Sequence, residues 1–274
     1  MPATRRSITA DRRAIAHPAA SSASPRGTAP RLLVSVTGPD EARIAFAAGA
    51  DIVDLKDPRR GALGACEPAA LRAVASLRDR AFPGAVLSAA LGPANDPGAA
   101  DRAAVVAGWG FDFVKLGLEG LPDRDAAAAA LRRIVAAVGA AGPANGGGTR
   151  VIAASFADST RVEALAPEDL PDVAAAAGAA GALLDTAVKD GRTLLDHLSP
   201  EGIARYLSGC RRRGLLAALA GALEPRTMPA ILALAPDIIG VRGAVCLGGR
   251  TGRLDRRRLE RLRDVLRVSP ARVC

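Results

Sequence analysis

From Arg31 onward, short aliphatic runs alternate with longer Ala-rich segments of helical period. Eight runs read as strands: Leu32–Val36, Ile52–Leu55, Val86–Leu91, Phe113–Leu116, Val151–Ala154, Ala182–Asp185, Leu215–Ala220 and Ile238–Val241. The intervening periodic stretches read as helices over Asp40–Ala48, Pro68–Arg78, Ala99–Ala107, Asp125–Val138, Arg161–Ala177, Ser199–Arg213, Pro225–Leu234 and Asp255–Val268. Pro39, Pro68 and Pro200 stand near helix starts, where a missing N–H costs little. Eight strands, each followed by a helix, predict an α/β fold of one (β/α)8 TIM barrel. An open doubly wound sheet is the competing arrangement, but no G-x-G-x-x-G follows the first strand.

Residues 1–30 lack an apolar period, end in Pro, Gly and Ser, and read as a disordered N-terminal tail. The barrel domain is then 31–274. The tail carries Arg and Ser with almost no acid, a composition shared with organelle transit peptides, but it has no apolar core for secretion. Pro143–Thr149 (PANGGGT) reads as a flexible loop on the N-terminal side of the fifth strand.

A net charge of +9 raises the question of nucleic acid, and its location answers it. Residues 1–30 carry +4 and residues 250–274 carry +6, so the stretch between them is close to −1. Aromatics are 3% of the chain and do not interleave with the basic residues, which leaves little on which bases could stack. No nucleic-acid partner is expected, although an RNA-binding barrel acting through the tail and Arg256, Arg257 and Arg258 is the alternative of a different class. No apolar run approaches the roughly 18 residues of a membrane span. A soluble, cytoplasmic protein without a membrane partner is expected, with homo-oligomeric assembly. Four cysteines without C-x-x-C spacing and two histidines without metal-ligand spacing predict reduced thiols and no metal site.

Candidate chemistry enters with the lysines. The chain holds three, Lys56, Lys115 and Lys189, among 34 arginines. Arginine serves wherever any surface cation will do, so a retained lysine suggests a need for a deprotonatable amine, which guanidinium cannot supply. Lys56 follows the second strand, Lys115 lies in the fourth, and Lys189 stands four residues past Asp185 at the end of the sixth. Barrel active sites are built at those strand ends. Period-two alternation puts Asp54 and Lys56 on one face of their strand. Converging amines and acids would let one amine form an imine while its neighbours move protons. Small residues after strands seven and eight, Gly221, Ala222, Gly243 and Ala244, would let backbone N–H groups approach a substrate phosphate.

Asp51–Pro58 (DIVDLKDP) with Gly61–Ala65, Phe113–Gly117 (FVKLG), Leu184–Gly191 (LDTAVKDG) running on to His197, Leu219–Gly221 and Val241–Cys246 together make the chain recognisable. It resembles the (5-formylfuran-3-yl)methyl phosphate synthase family over about residues 31–268. The resemblance implies a class I aldolase-like barrel that condenses two molecules of glyceraldehyde 3-phosphate, with loss of one phosphate and two waters, on the route to methanofuran or its analogue in one-carbon metabolism. It further implies Lys56 as the Schiff-base lysine, Lys115 as the proton acceptor, and Asp54, Asp185 and Lys189 as supporting groups. No cofactor is implied, because the imine itself serves as electron sink. Another Schiff-base aldolase of phosphorylated aldehydes, of the deoxyribose-phosphate type, is the alternative within the fold. Ala222 departs from the Ser common in the family, and Asp57 from the commoner Asn.

Overall fold

The computed structural model describes residues 29–142 and 148–267 of the chain. Eight parallel strands close into a barrel in sequence order: β1 Arg31–Val36, β2 Ile52–Leu55, β3 Val86–Pro93, β4 Phe113–Gly117, β5 Arg150–Phe156, β6 Gly181–Asp185, β7 Leu216–Leu219 and β8 Ile238–Val241. The ring shuts where Leu33 of β1 pairs with Gly240 of β8. Around it run α1 Pro39–Ala47, α2 Pro68–Ala81, α3 Ala99–Gly108, α4 Arg124–Ala140, α5 Leu170–Ala176, α6 Leu194–His197, α7 Pro200–Arg212, α8 Met228–Ala233 and α9 Arg256–Arg267. Pro39, Pro68 and Pro200 each open a helix, where proline's fixed φ suits the first turn. Among the described residues no helix is long and apolar enough to cross a membrane.

Strand alternation separates two cores. Val34, Val53, Leu87, Val114, Ala153, Leu184, Ala217 and Ile239 face outward, where the helices cover them. Leu33, Ile52, Phe113, Ile152, Leu183, Leu216 and Ile238 face inward and plug the N-terminal part of the barrel. Two residues further along β1, β2, β4 and β6, the inward positions become Ser35, Asp54, Lys115 and Asp185. The interior thus changes from apolar to ionisable within one strand repeat, and the change falls at the C-terminal ends.

The expected eight strands and the barrel closure are present. The helix expected over Arg161–Ala177 is not continuous. A 3-10 turn covers Ser159–Val162, Glu163 takes a left-handed φ of 48°, and α5 starts only at Leu170. Pro167 explains the break, since it removes an amide donor and pushes Ala166 away from helical backbone. The eighth-strand loop also holds more than expected. A hairpin of two-residue strands, β9 Cys246–Leu247 and β10 Arg253–Leu254, folds there before α9. Gly252 is required at its turn, because a Cβ there would collide with the Leu247 carbonyl oxygen. The expected tail falls outside the described residues except at its last two positions, and so does the Pro143–Thr149 loop up to residue 147.

Candidate active site

A cavity of about 1020 Å³ opens at the C-terminal end of the barrel. Lys56, Lys115, Lys189 and Asp185 line it, together with Gly221, Ala222, Gly243 and Ala244. Eight of the nine residues singled out in the sequence therefore border one space. The ninth, Asp54, lies directly beneath, fully buried and joined to Lys115.

Two ion-paired groups make up the ionisable layer. In the first, Lys115 Nζ lies 2.6 Å from Asp54 Oδ2, and both side chains are nearly inaccessible, at 4% and 0% exposure. Burial at that level leaves pairing as the only inexpensive way to keep either charge. Ser35 Oγ donates to the same Asp54 oxygen at 3.0 Å, which fixes the carboxylate from β1. Asp54 Oδ1 and the neighbouring Ser88 Oγ are buried without a hydrogen-bond partner among the described residues. Both belong to the inward row, so this end of the site retains unused polar capacity.

The second group centres on Asp185. Its Oδ1 accepts from the Thr186 amide at 2.7 Å and from Lys189 Nζ at 2.9 Å. Its Oδ2 lies 3.8 Å from Lys56 Nζ. Burial opposes the Asp185 charge, but Lys189 and Lys56 outweigh it and hold the carboxyl at about 2. Lys189 Nζ also donates to the Thr186 carbonyl at 2.6 Å and to the Thr186 hydroxyl at 2.9 Å. Three acceptors pin that ammonium in place. Asp158, from the loop after β5, accepts the amides of Ala187 and Val188 at 2.7 and 2.9 Å and so shapes the turn that delivers Lys189.

Lys56 is the least satisfied of the three amines. Burial lowers its pKa, Asp185 resists, and the nearby charges of Lys115 and Lys189 lower it again, to about 8. A lysine so placed is partly neutral near physiological pH and nucleophilic in that fraction. Leu55, its neighbour in the chain, points the other way into the helix layer, as strand alternation requires.

The small-residue turns lie across the mouth. Gly221 has φ of 102°, and Ala222 follows at 50°, a left-handed value uncommon outside glycine. A Cβ on Gly221 would meet Thr186 Cγ2 at 3.1 Å and the Thr186 amide nitrogen at 3.2 Å, so the β7 turn packs directly on the β6 turn. Gly243 and Ala244 begin a 3-10 turn after β8.

Several cavity residues carried no sequence signal that singled them out. Ser35 and Ser88 are small polar residues inside strand patterns. Arg242 and Arg250 are two among many arginines. Arg242 is fully committed: it donates to the Ser35 carbonyl at 2.9 Å, to Glu41 Oε2 at 2.9 Å, to the Gly252 carbonyl at 3.1 Å and to the Arg250 carbonyl at 2.5 Å. Its registration of the β8 loop against α1 is structural. Asp57 caps the 3-10 turn Pro58–Arg60 by accepting the Arg59 amide at 2.9 Å. His197 closes α6 and is not among the cavity-lining residues.

The comparisons with known proteins agree on the family and the fold. A family model described as 4-HFC-P synthase matches residues 32–263. The chain is 39% identical over 239 residues to the (5-formylfuran-3-yl)methyl phosphate synthase of Methanothermobacter thermautotrophicus, covering 86% of this chain and 98% of that one. It is 37% identical over 238 residues to the synthase of the same name from Methanocaldococcus jannaschii, covering 85% and 98%. Among solved structures, the deoxyribose phosphate aldolase of Aeropyrum pernix superposes with a TM-score of 0.55 at 14% identity, over 86% of this chain and 90% of that one. That likeness shows the aldolase-type barrel alone. The match along nearly the whole barrel, at this identity to full-length relatives, establishes that the chain belongs to the 4-HFC-P synthase family.

Proposed function

We propose that this protein condenses two molecules of glyceraldehyde 3-phosphate into (5-formylfuran-3-yl)methyl phosphate through an imine on Lys56, on the route to methanofuran or its analogue. The observation that carries the reading is the convergence of three lysines and two aspartates at one barrel end, with the pKa of Lys56 lowered to about 8. The relatives' names give the product, and the substrate is what the resemblance to that family implies.

The neutral Lys56 amine adds to the aldehyde carbon, and loss of water gives the iminium. Positive charge on that nitrogen acidifies the C–H at the adjacent carbon. Lys115 accepts the proton once its own has passed to Asp54, a transfer that their 2.6 Å separation supports. The resulting enamine can expel the phosphate at the next carbon or attack the second aldehyde. Asp185 and Lys189, joined at 2.9 Å, are suited to relay protons during the two dehydrations. Overall, two triose phosphates give one furan phosphate, one inorganic phosphate and two waters, so no oxidant or reductant is needed. The turns at Gly221–Ala222 and Gly243–Ala244 would hold the phosphate of the bound triose through backbone N–H groups.

The experiment is borohydride reduction in the presence of glyceraldehyde 3-phosphate, followed by peptide mapping. The expected adduct is a secondary amine at Lys56, absent in Lys56→Arg. An active enzyme with no adduct at Lys56 removes the nucleophile assigned here. Ultraviolet absorption of the product separates furan formation from a simple aldol, which is what a deoxyribose-phosphate-type activity would give.

A further inference from the structure

We propose that Arg250, carried on the hairpin after β8, is a substrate-phosphate anchor facing the Lys56–Asp185 centre. This rests on the reading of the cavity as a site for phosphorylated aldehydes.

Arg250 lines the same cavity as Lys56, Lys189 and Asp185, and its side chain is half-buried. Among the described residues its guanidinium makes one hydrogen bond, Nη2 to the Gly61 carbonyl at 3.0 Å. That contact bridges the end of β1, from the β8 loop to the loop after β2 that follows Lys56. A guanidinium has five N–H donors, so most of the fork remains unused by the protein. Among the described residues no carboxylate oxygen comes within ion-pair distance of it, although Asp185 and Asp57 act on it from further away. Partial desolvation and the like charge of Arg242 disfavour its cationic form, and no bonded anion compensates. A half-buried arginine with spare donors and no anion partner, facing a cavity, has the properties of an anion receptor.

The contrast with Arg242 sharpens the assignment. Arg242 is paired with Glu41 and anchored to three backbone carbonyls. One of those carbonyls is that of Arg250 itself, at 2.5 Å. The neutralised arginine therefore holds the backbone of the unneutralised one. The turn is further fixed by Gly252, whose hydrogen fits against the Leu247 carbonyl where no side chain could. A preorganised guanidinium loses little freedom on gripping a phosphate and offers two parallel donors to it.

The reaction proposed above uses two phosphomonoesters. Arg250 packs against the β8 turn, where a Cβ on Gly243 would meet its backbone nitrogen at 3.6 Å and its Cβ at 3.9 Å, and its guanidinium reaches from there to Gly61 of the β2 loop. The assignment is that Arg250 adds side-chain donors, on the β2 side of that turn, to the backbone N–H groups that receive substrate phosphate. Other arginines on the cavity are less suited. Arg226 is paired with Glu224 at 2.5 Å, and Arg258 is bonded to the Cys246 carbonyl at 2.9 Å. Arg261, on α9, is exposed, so an anion beside it would stay in water, and it serves as the control.

The test compares Arg250→Gln, Arg250→Lys and Arg261→Gln with the unaltered protein. Inorganic phosphate binding is measured by calorimetry, and KM and kcat for glyceraldehyde 3-phosphate by product absorbance. Arg250→Gln is expected to weaken phosphate binding and raise KM at least 10-fold, with Arg250→Lys intermediate and Arg261→Gln unchanged. Borohydride trapping of unphosphorylated glyceraldehyde on Lys56 is expected to be equal in all four proteins, which separates phosphate anchoring from loss of the nucleophile. Phosphate affinity and KM unchanged in Arg250→Gln, or lost in Arg261→Gln instead, overturns the proposal. Failure of trapping in the unaltered protein counts against Lys56 and leaves the phosphate measurement to decide on Arg250.

Discussion

Lys56 Nζ stands 3.8 Å from Asp185 Oδ2, whereas Lys189 Nζ holds the opposite oxygen of the same carboxylate at 2.9 Å. One anion serves two cations unequally. Lys189 receives the short, multiply bonded contact, and Lys56 is left with the long one inside a desolvated pocket. The asymmetry separates the two: Lys189 is pinned by three acceptors, and Lys56, with its pKa lowered to about 8, is the amine able to lose its proton.

The pH dependence of imine formation should report this division. With Lys56 held at about 8, the trapping rate rises with pH as the amine deprotonates and levels off above that value. Asp185 favours the Lys56 ammonium, so Asp185→Asn moves the inflection downward. Lys189 disfavours it, so Lys189→Met moves the inflection upward. Borohydride trapping across pH 6 to 10, quantified by mass spectrometry, reads all three proteins. An inflection that stays in place in both variants means that neither charge tunes Lys56.

The buried pair below responds differently, through stability. Lys115→Met leaves Asp54 fully enclosed and without its cation, which costs about 3–5 kcal/mol. Asp54→Leu with Lys115→Met removes both charges and should recover most of that loss, since apolar replacement of a buried pair is often neutral or better. Both variants should be inactive. Urea unfolding of the two single variants and the double variant measures the coupling. Simple additivity, with the double variant the least stable, would show that the two charges do not depend on one another.

How much of this was legible in the sequence follows from how each feature is encoded. The strands show because their aliphatic runs are short and bounded, and the ring closure follows from their number. The lysines stand out only because arginine fills every ordinary cation position. Asp54 and Lys56 could be placed on one face because strand alternation is rigid. The break at Pro167 was masked by the Ala-rich sequence on either side, where helical composition outvoted a proline in the middle. The hairpin Cys246–Leu254 was missed because strands of two residues have no period to read. Arg250 and Arg242 were invisible as individuals: their different fates depend on Glu41, which is about 200 residues away in sequence from both and pairs with Arg242 alone. Long-range pairing of that kind is a property of the closed ring, and no local pattern encodes it.

Acid stability offers a test of the Asp185 cluster with a defined sign. The native carboxyl sits at about 2, below its ordinary 3.8, so the folded state binds that proton less readily than the unfolded state. The stabilisation is complete at pH values above the ordinary carboxyl range and is lost as the pH falls from near 4 through 2. Its size is about 2 kcal/mol, from the shift at 1.36 kcal/mol per pH unit. The stability difference between the unaltered protein and Asp185→Asn should therefore shrink by about that amount between pH 5 and pH 2. Denaturant unfolding at four pH values measures it. A difference that is constant with pH would mean that the carboxyl titrates alike in the folded and unfolded chains.

The β7 turn separates backbone strain from ligand binding. Gly221→Ala forces a side chain onto a backbone with φ of 102° and against Thr186 at 3.1 Å, a cost of about 1–3 kcal/mol. Thr186 carries two of the three oxygens that hold Lys189, so any shift of the turn is passed to the ionisable cluster. Ala222→Gly works in the opposite direction. It relieves a left-handed alanine and should stabilise the fold by about 1 kcal/mol while leaving the N–H groups in place. KM for glyceraldehyde 3-phosphate should rise in Gly221→Ala and hold steady in Ala222→Gly, with thermal unfolding recorded on the same samples. If Gly221→Ala lowers stability yet leaves KM alone, the turn is a packing joint between β6 and β7, and the phosphate must be held elsewhere.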